Sequence, residues 1–93
     1  ASETLKARAR AIRDELAQVV ATALTDGAGR DAHDPQARLA ASLLLATWSV
    51  ALIEAHRAFR QHGDAQRAKA GFLALLDQGH AGVKAALAGT PYA

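Results

Sequence analysis

The side chains able to do chemistry are few. None of the 93 residues is cysteine or methionine, which excludes a disulfide framework, a thiolate metal site and a catalytic thiol. The four histidines His33, His56, His62 and His80 are therefore the only soft ligands. A metal needs ligands that converge at helical spacing, and no His-x-x-x-His pair is present. Asp77 and His80 stand three apart, and two ligands without a third are better explained as a surface ion pair. Enzyme chemistry would need a nucleophile beside a base, paired carboxylates in an apolar cleft, or a glycine-rich phosphate loop after a strand. None of these occurs, and Gly27-Ala28-Gly29 lacks the spacing of a dinucleotide fingerprint. No catalytic residue, metal or cofactor is expected.

The most interesting polar group is His56, with Arg57 beside it and Glu54 two residues earlier. It follows a long apolar run and lies near Trp48 and Phe59. A histidine there could hydrogen-bond a small organic ligand or titrate near neutral pH; the more ordinary reading, and the favoured one, is a partly buried side chain satisfied by a carbonyl or by a carboxylate of a second copy. The ligand-binding residues expected on the first reading are Thr47, His56 and Arg57. Ser42, Thr47 and Ser49 all fall within one helix, where small hydroxyls usually bond back to the preceding turn.

The formal net charge is +2, from eleven basic and nine acidic residues interspersed along the chain. Lys6, Arg8, Arg10 and Arg13 form the densest basic group. Asp14 and Glu15 follow at once, so the group reads as a solvated helix face and not as a nucleic-acid tail. One Trp, one Tyr and two Phe are too few for the stacking surface of a single-strand binder. The uncharged stretch from Leu39 to Ile53 would extend about 22 Å as a helix, short of a ~30 Å hydrocarbon core. No secretory leader opens the chain. A cytoplasmic protein with no membrane segment is expected.

Three helices must position these residues. The first is expected over about 3–25, with Ser2 as N-cap, Glu3 at the positive dipole end, and Gly27 and Gly29 as breakers. Its apolar stripe is Leu5, Ala9, Ile12, Leu16, Val19, Val20 and Ala23, the natural partner-facing side. The second is expected over 35–61, opened by Asp34-Pro35 and closed by a left-handed Gly63. Leu39, Leu43, Ala46, Val50 and Ile53 lie on one face of it, with Leu45, Trp48, Leu52 and Phe59 nearly opposite. The third is expected over 65–88, with Asp64 as N-cap and with Gly89 and Pro91 beyond its end.

The fold class that follows is all-α, three long antiparallel helices joined by short loops. A helix that is apolar all round must be covered all round, and two neighbours cannot surround the second helix. Interior glycines Gly71, Gly79 and Gly82 each lose about 1 kcal/mol of helix propensity, which close approach of another backbone would offset. A homodimer through a four-helix bundle is the simplest arrangement. Its expected interface is Trp48, Leu52, Phe59, Gly71, Phe72, Leu75, Leu76, Gly79, Gly82 and Val83, with aromatic anchors near the centre. The Leu43 and Val50 side is the alternative.

The segment DPQARLAASLLLATWSVALIEAHRAFRQHGD, followed by FLALLDQGHAGVKAAL, resembles the last two helices of TetR-family transcription regulators. The preceding ARARAIRDELAQVVATAL and its DGAGRDAHDP connection are similar to the helix and loop that lead into them. The resemblance implies a C-terminal regulatory and dimerisation domain spanning 1–93, with an unknown small-molecule effector as ligand. It implies operator DNA binding only through an N-terminal helix-turn-helix domain absent from this chain, in keeping with the ASETLKAR start that lacks an initiator Met. The competing expectation is a free-standing helical protein–protein interaction module.

Overall fold

Helix ends in this chain are set by local chemistry. The computed structural model describes residues 2–93 and contains three α-helices and, among the described residues, no strand. Helix α1 is Ser2–Ala28, α2 is Pro35–His62 and α3 is Ala65–Ala86. Asp34 caps α2 by accepting from the Gln36 N–H at 3.0 Å, and Pro35 opens the first turn, where its missing N–H is no loss. Gly63 ends α2 at φ 63°, and its N–H reaches the Phe59 carbonyl at 2.7 Å. Asp64 then caps α3, accepting from the N–H groups of Gln66 and Arg67. A two-residue connection of this kind turns the chain straight back on itself.

Three boundaries differ from expectation. Ser2 is the first described helical residue of α1 and not a cap. Gly27 does not break α1, which runs on to Ala28 before Gly29 takes φ 66° and the Arg30 N–H bonds the Thr25 carbonyl at 3.0 Å. That six-residue closure is a Schellman ending, and it needs one left-handed glycine only. Helix α3 stops at Ala86 instead of 88, where the Thr90 hydroxyl donates to the Leu87 carbonyl at 2.7 Å and Gly89 turns the chain at φ 84°.

Helices α2 and α3 form an antiparallel hairpin. Its seam runs from Ala40 against Val83 and Leu87, past Thr47 against Gly79, to Trp48 against Phe72. Helix α1 docks on α2, with Leu24 also against the cluster of Ala40, Val83 and Leu87, while the α1 and α3 backbones do not approach each other. The molecule is a layer of 46 × 36 × 17 Å, little more than one helix thick.

The docking of α1 departs from the expectation from its apolar stripe, of which Val20 packs on the seam while most large members do not. The residues it buries are Ala17, Ala21 and Thr25, against Ala37 and Ala41 of α2. Leu5 and Val19 remain 69% and 66% exposed, and Ile12 and Leu16 are also open to solvent. Small side chains on both helices let the backbones come close, so dispersion contacts accumulate along the seam. Arg38 fixes the same orientation from α2: it donates to the Gln18 amide oxygen at 3.0 Å and lies 3.8 Å from the Asp14 carboxylate.

Candidate functional site

The three residues expected to bind a ligand are not brought together. Thr47 sits in the α2–α3 seam, where its hydroxyl donates to the Leu43 carbonyl at 2.8 Å and its side chain abuts Gly79. His56 is exposed. Arg57 is also exposed and pairs with Glu54 one turn earlier at 3.4 Å. A backbone-bonded hydroxyl in a packed seam and a solvated arginine at the far end of α2 share no cavity.

The ten residues expected at a subunit interface divide into two sets. Leu76 and Val83 are buried against α2 of the same chain, Gly79 receives Thr47, and Phe72 meets Trp48 edge-on at a centroid distance of 5.5 Å. These four line the α2–α3 seam within a single chain. Leu75 is half-buried. Trp48, Leu52 and Phe59 keep between 44% and 50% of their surface, and Gly71 and Gly82 face open space. The close approach expected at three glycines exists within the chain at one, Gly79.

Unpartnered apolar surface is the dominant feature of the molecule. Besides Trp48, Leu52 and Phe59, α2 exposes Leu39, Val50 and Ile53, and α1 exposes Leu5, Ile12, Leu16 and Val19. A self-contained monomer of this mass would show about 5,100 Å² of accessible surface. The chain shows 6499 Å². Helix α2 is also long and apolar enough, by length and composition, to cross a membrane. The core helix of a water-soluble bundle has the same character.

A wedge-shaped cavity of about 550 Å³ lies between α1 and α2. It opens because only the C-terminal half of α1 seats on α2. Arg10 and Arg13 form its α1 wall, and Ser42, Leu45, Ser49 and Ile53 line the α2 wall. Neither arginine joins an ion pair among the described residues, whereas Asp14 at the inner end is engaged by Arg38. From sequence these arginines read as a solvated face and the serines as hydroxyls bonded within their helix. The packing of α1 through its alanines is what aims them at one another.

A second polar feature has no counterpart in the sequence reading. Tyr92 folds back over the α1–α2 junction, packs against the alanine cluster there, and donates its hydroxyl to Asp34 Oδ2 at 2.6 Å. That bond, followed by the one from the Gln36 N–H, holds the Asp34 carboxyl below its ordinary value. Desolvation, then the hydrogen bond and charge of Asp34, push the Tyr92 phenol up. The N-cap of α2 is thereby tied to the end of the chain. Among the described residues no three His, Asp or Glu side chains gather as a metal site. Comparison of the chain with family models, curated proteins and solved structures finds no match.

Proposed function

We propose that this chain is a homodimerisation and effector-binding module of a TetR-like bacterial transcription regulator, non-catalytic and cytoplasmic. Operator contact would belong to a helix-turn-helix head outside these 93 residues. The observation that carries the dimer is the surface excess. About 1,400 Å² more than a monomer of this size should expose is comparable to one partner's share of a stable interface, about 800 Å² or more. The half-exposed Trp48 and Phe59, with Leu52 between them on one flank of α2, supply the aromatic anchors that interface centres favour. Regulation rests on the resemblance of the hairpin helices to that family. Its mechanism is differential affinity of an effector for two spacings of the dimer.

Light scattering at micromolar concentration tests the reading directly. A dimer is expected; a monomer overturns it. Trp48→Ala should weaken the dimer by about 2 kcal/mol, the scale of an interface hot spot. Undiminished association would move the interface to the Leu43 and Val50 side.

One observation favours a second reading, a helical module that binds a different protein. The α1 stripe of Leu5, Ile12, Leu16 and Val19 points away from the face that α1 packs on α2. A dimer through the Trp48 flank leaves it uncovered. Leu5→Gln with Val19→Gln separates the two: the dimer keeps its association constant, and a module that uses α1 loses its partner.

A further inference from the structure

The wedge between α1 and α2 combines two properties that an amphipathic organic anion needs. We infer that it is a binding site for a linear acyl carboxylate, whose chain lies along Leu45, Val50 and Ile53 and whose head group meets Arg10 and Arg13. The inference rests on reading the chain as an effector-binding module, and it names the chemical class of the effector.

The wedge holds about 550 Å³, within the ~300–1,000 Å³ typical of small-molecule sites. Its floor is apolar, and Val50 and Ile53 are more than half exposed there, so a hydrocarbon chain laid on them removes surface that the chain itself leaves wet. Charge is complementary to an anion. Arg10 and Arg13 carry no ion-pair partner among the described residues, and the one carboxylate in the wedge, Asp14, already faces Arg38. The wedge is thus lined by two guanidinium groups outside any ion pair and by one acid that Arg38 engages from outside it. Arginine forks match a carboxylate in two parallel hydrogen bonds, and the Ser42 and Ser49 hydroxyls border the same opening. A neutral chain would leave the arginines unused, and a small anion such as acetate would leave the floor uncovered. At 100° per residue, Ser49, Val50 and Ile53 lie roughly 100°, 160° and 140° around α2 from Trp48 and Leu45 about 60°, so a dimer through the Trp48 flank leaves the Ser49, Val50 and Ile53 side of the wedge open.

Calorimetric titration of the full chain with decanoate below its micelle concentration tests the site. Saturable binding of one decanoate per chain is expected, with decan-1-ol and acetate each at least about tenfold weaker, since each lacks one of the two contacts. The double variant Arg10→Gln/Arg13→Gln should bind decanoate at least about tenfold more weakly, a loss in keeping with charge-assisted hydrogen bonds. Both positions are exposed, so its circular dichroism and melting should match the parent. Ile53→Asp, equally exposed, should have the same effect from the floor. Absence of saturation, equal affinity for decan-1-ol, or undiminished binding by the double variant overturns the site. Sedimentation with phosphatidylglycerol vesicles is the remaining arm: binding to vesicles without saturable binding of free decanoate also overturns it, in favour of a membrane surface. Light scattering on the same samples keeps the two readings apart. A dimer that takes no decanoate removes the site alone, and a monomer that takes it removes the dimer alone.

Discussion

Among the glycines, Gly79 is the one another side chain closely approaches. A Cβ built there would lie 2.6 Å from the Thr47 hydroxyl oxygen and 2.9 Å from its Cβ. Thr47 is β-branched and its hydroxyl is committed to the Leu43 carbonyl, so it cannot swing clear. Overpacking of this kind is destabilising by about 1–3 kcal/mol and outweighs the ~1 kcal/mol that alanine adds in helix propensity. Gly79→Ala should therefore lose about 1 kcal/mol in chemical denaturation. Adding Thr47→Ala should restore most of that loss; no restoration would remove Thr47 as the cause. Gly71→Ala and Gly82→Ala meet nothing within 4 Å, and each should gain about 0.5–1 kcal/mol. The Tyr92–Asp34 bond gives a different signature, in pH. Asp34 has a lowered pKa in the fold, so its contribution is present above its ordinary 3.8 and lost as pH falls through the lowered value. Tyr92 has a raised one, so its contribution is present below 10.0 and lost as pH rises through the raised value. Tyr92→Phe should melt below the parent at pH 7, with the gap narrowing at either extreme. A gap that stays constant down to pH 2 would show that Asp34 plays no part in it.

At the scale of elements, what could be read from the sequence was whatever adjacent residues decide. Asp34-Pro35 and Gly63-Asp64 announce their boundaries because capping is chemistry between residues a few positions apart. The end of α1 was misplaced for a related reason: two glycines were available, and only Gly29 takes the left-handed turn. The docking of α1 was not legible. Amphipathic periodicity selects the Leu5 to Val19 stripe, whereas the alanine seam depends on Ala37 and Ala41 of another helix and on the reach of Arg38 to Gln18. The wedge inherits that difficulty, since Arg10 and Arg13 become its wall only when α1 turns this way, and so does Tyr92, whose partner is 58 residues distant in sequence. Two substitutions test the orientation. Leu16→Gln, on the exposed stripe, should change stability by no more than about 0.5 kcal/mol. Ala21→Leu, at 2% exposure in the seam, should lose about 1–3 kcal/mol by overpacking. The reverse ranking would mean that α1 packs on α2 through its large side chains.

For the whole molecule, the question is how a layer 17 Å thick remains folded. Short chains bury a small share of their surface in any arrangement. Here the buried core is made mainly of alanines: among the described residues, only Leu87 and Thr25 are larger and fully buried. Each buried methyl removes little apolar area, so the hydrophobic term per residue is low while the entropy of ordering the backbone is the ordinary one. The large apolar side chains that could offset that entropy, Trp48, Leu52 and Phe59 among them, are the ones left half-exposed. If a second copy covers them, folding and association are one equilibrium, and the melting temperature must rise with protein concentration. Between about 1 and 100 μM the linkage of association to folding predicts an increase of several degrees for the parent. Trp48→Ala should shrink that dependence before it changes the circular dichroism spectrum of the folded chain. A melting temperature independent of concentration, together with a cooperative transition, would mean that the alanine seams suffice on their own and that the exposed flank of α2 awaits some other surface.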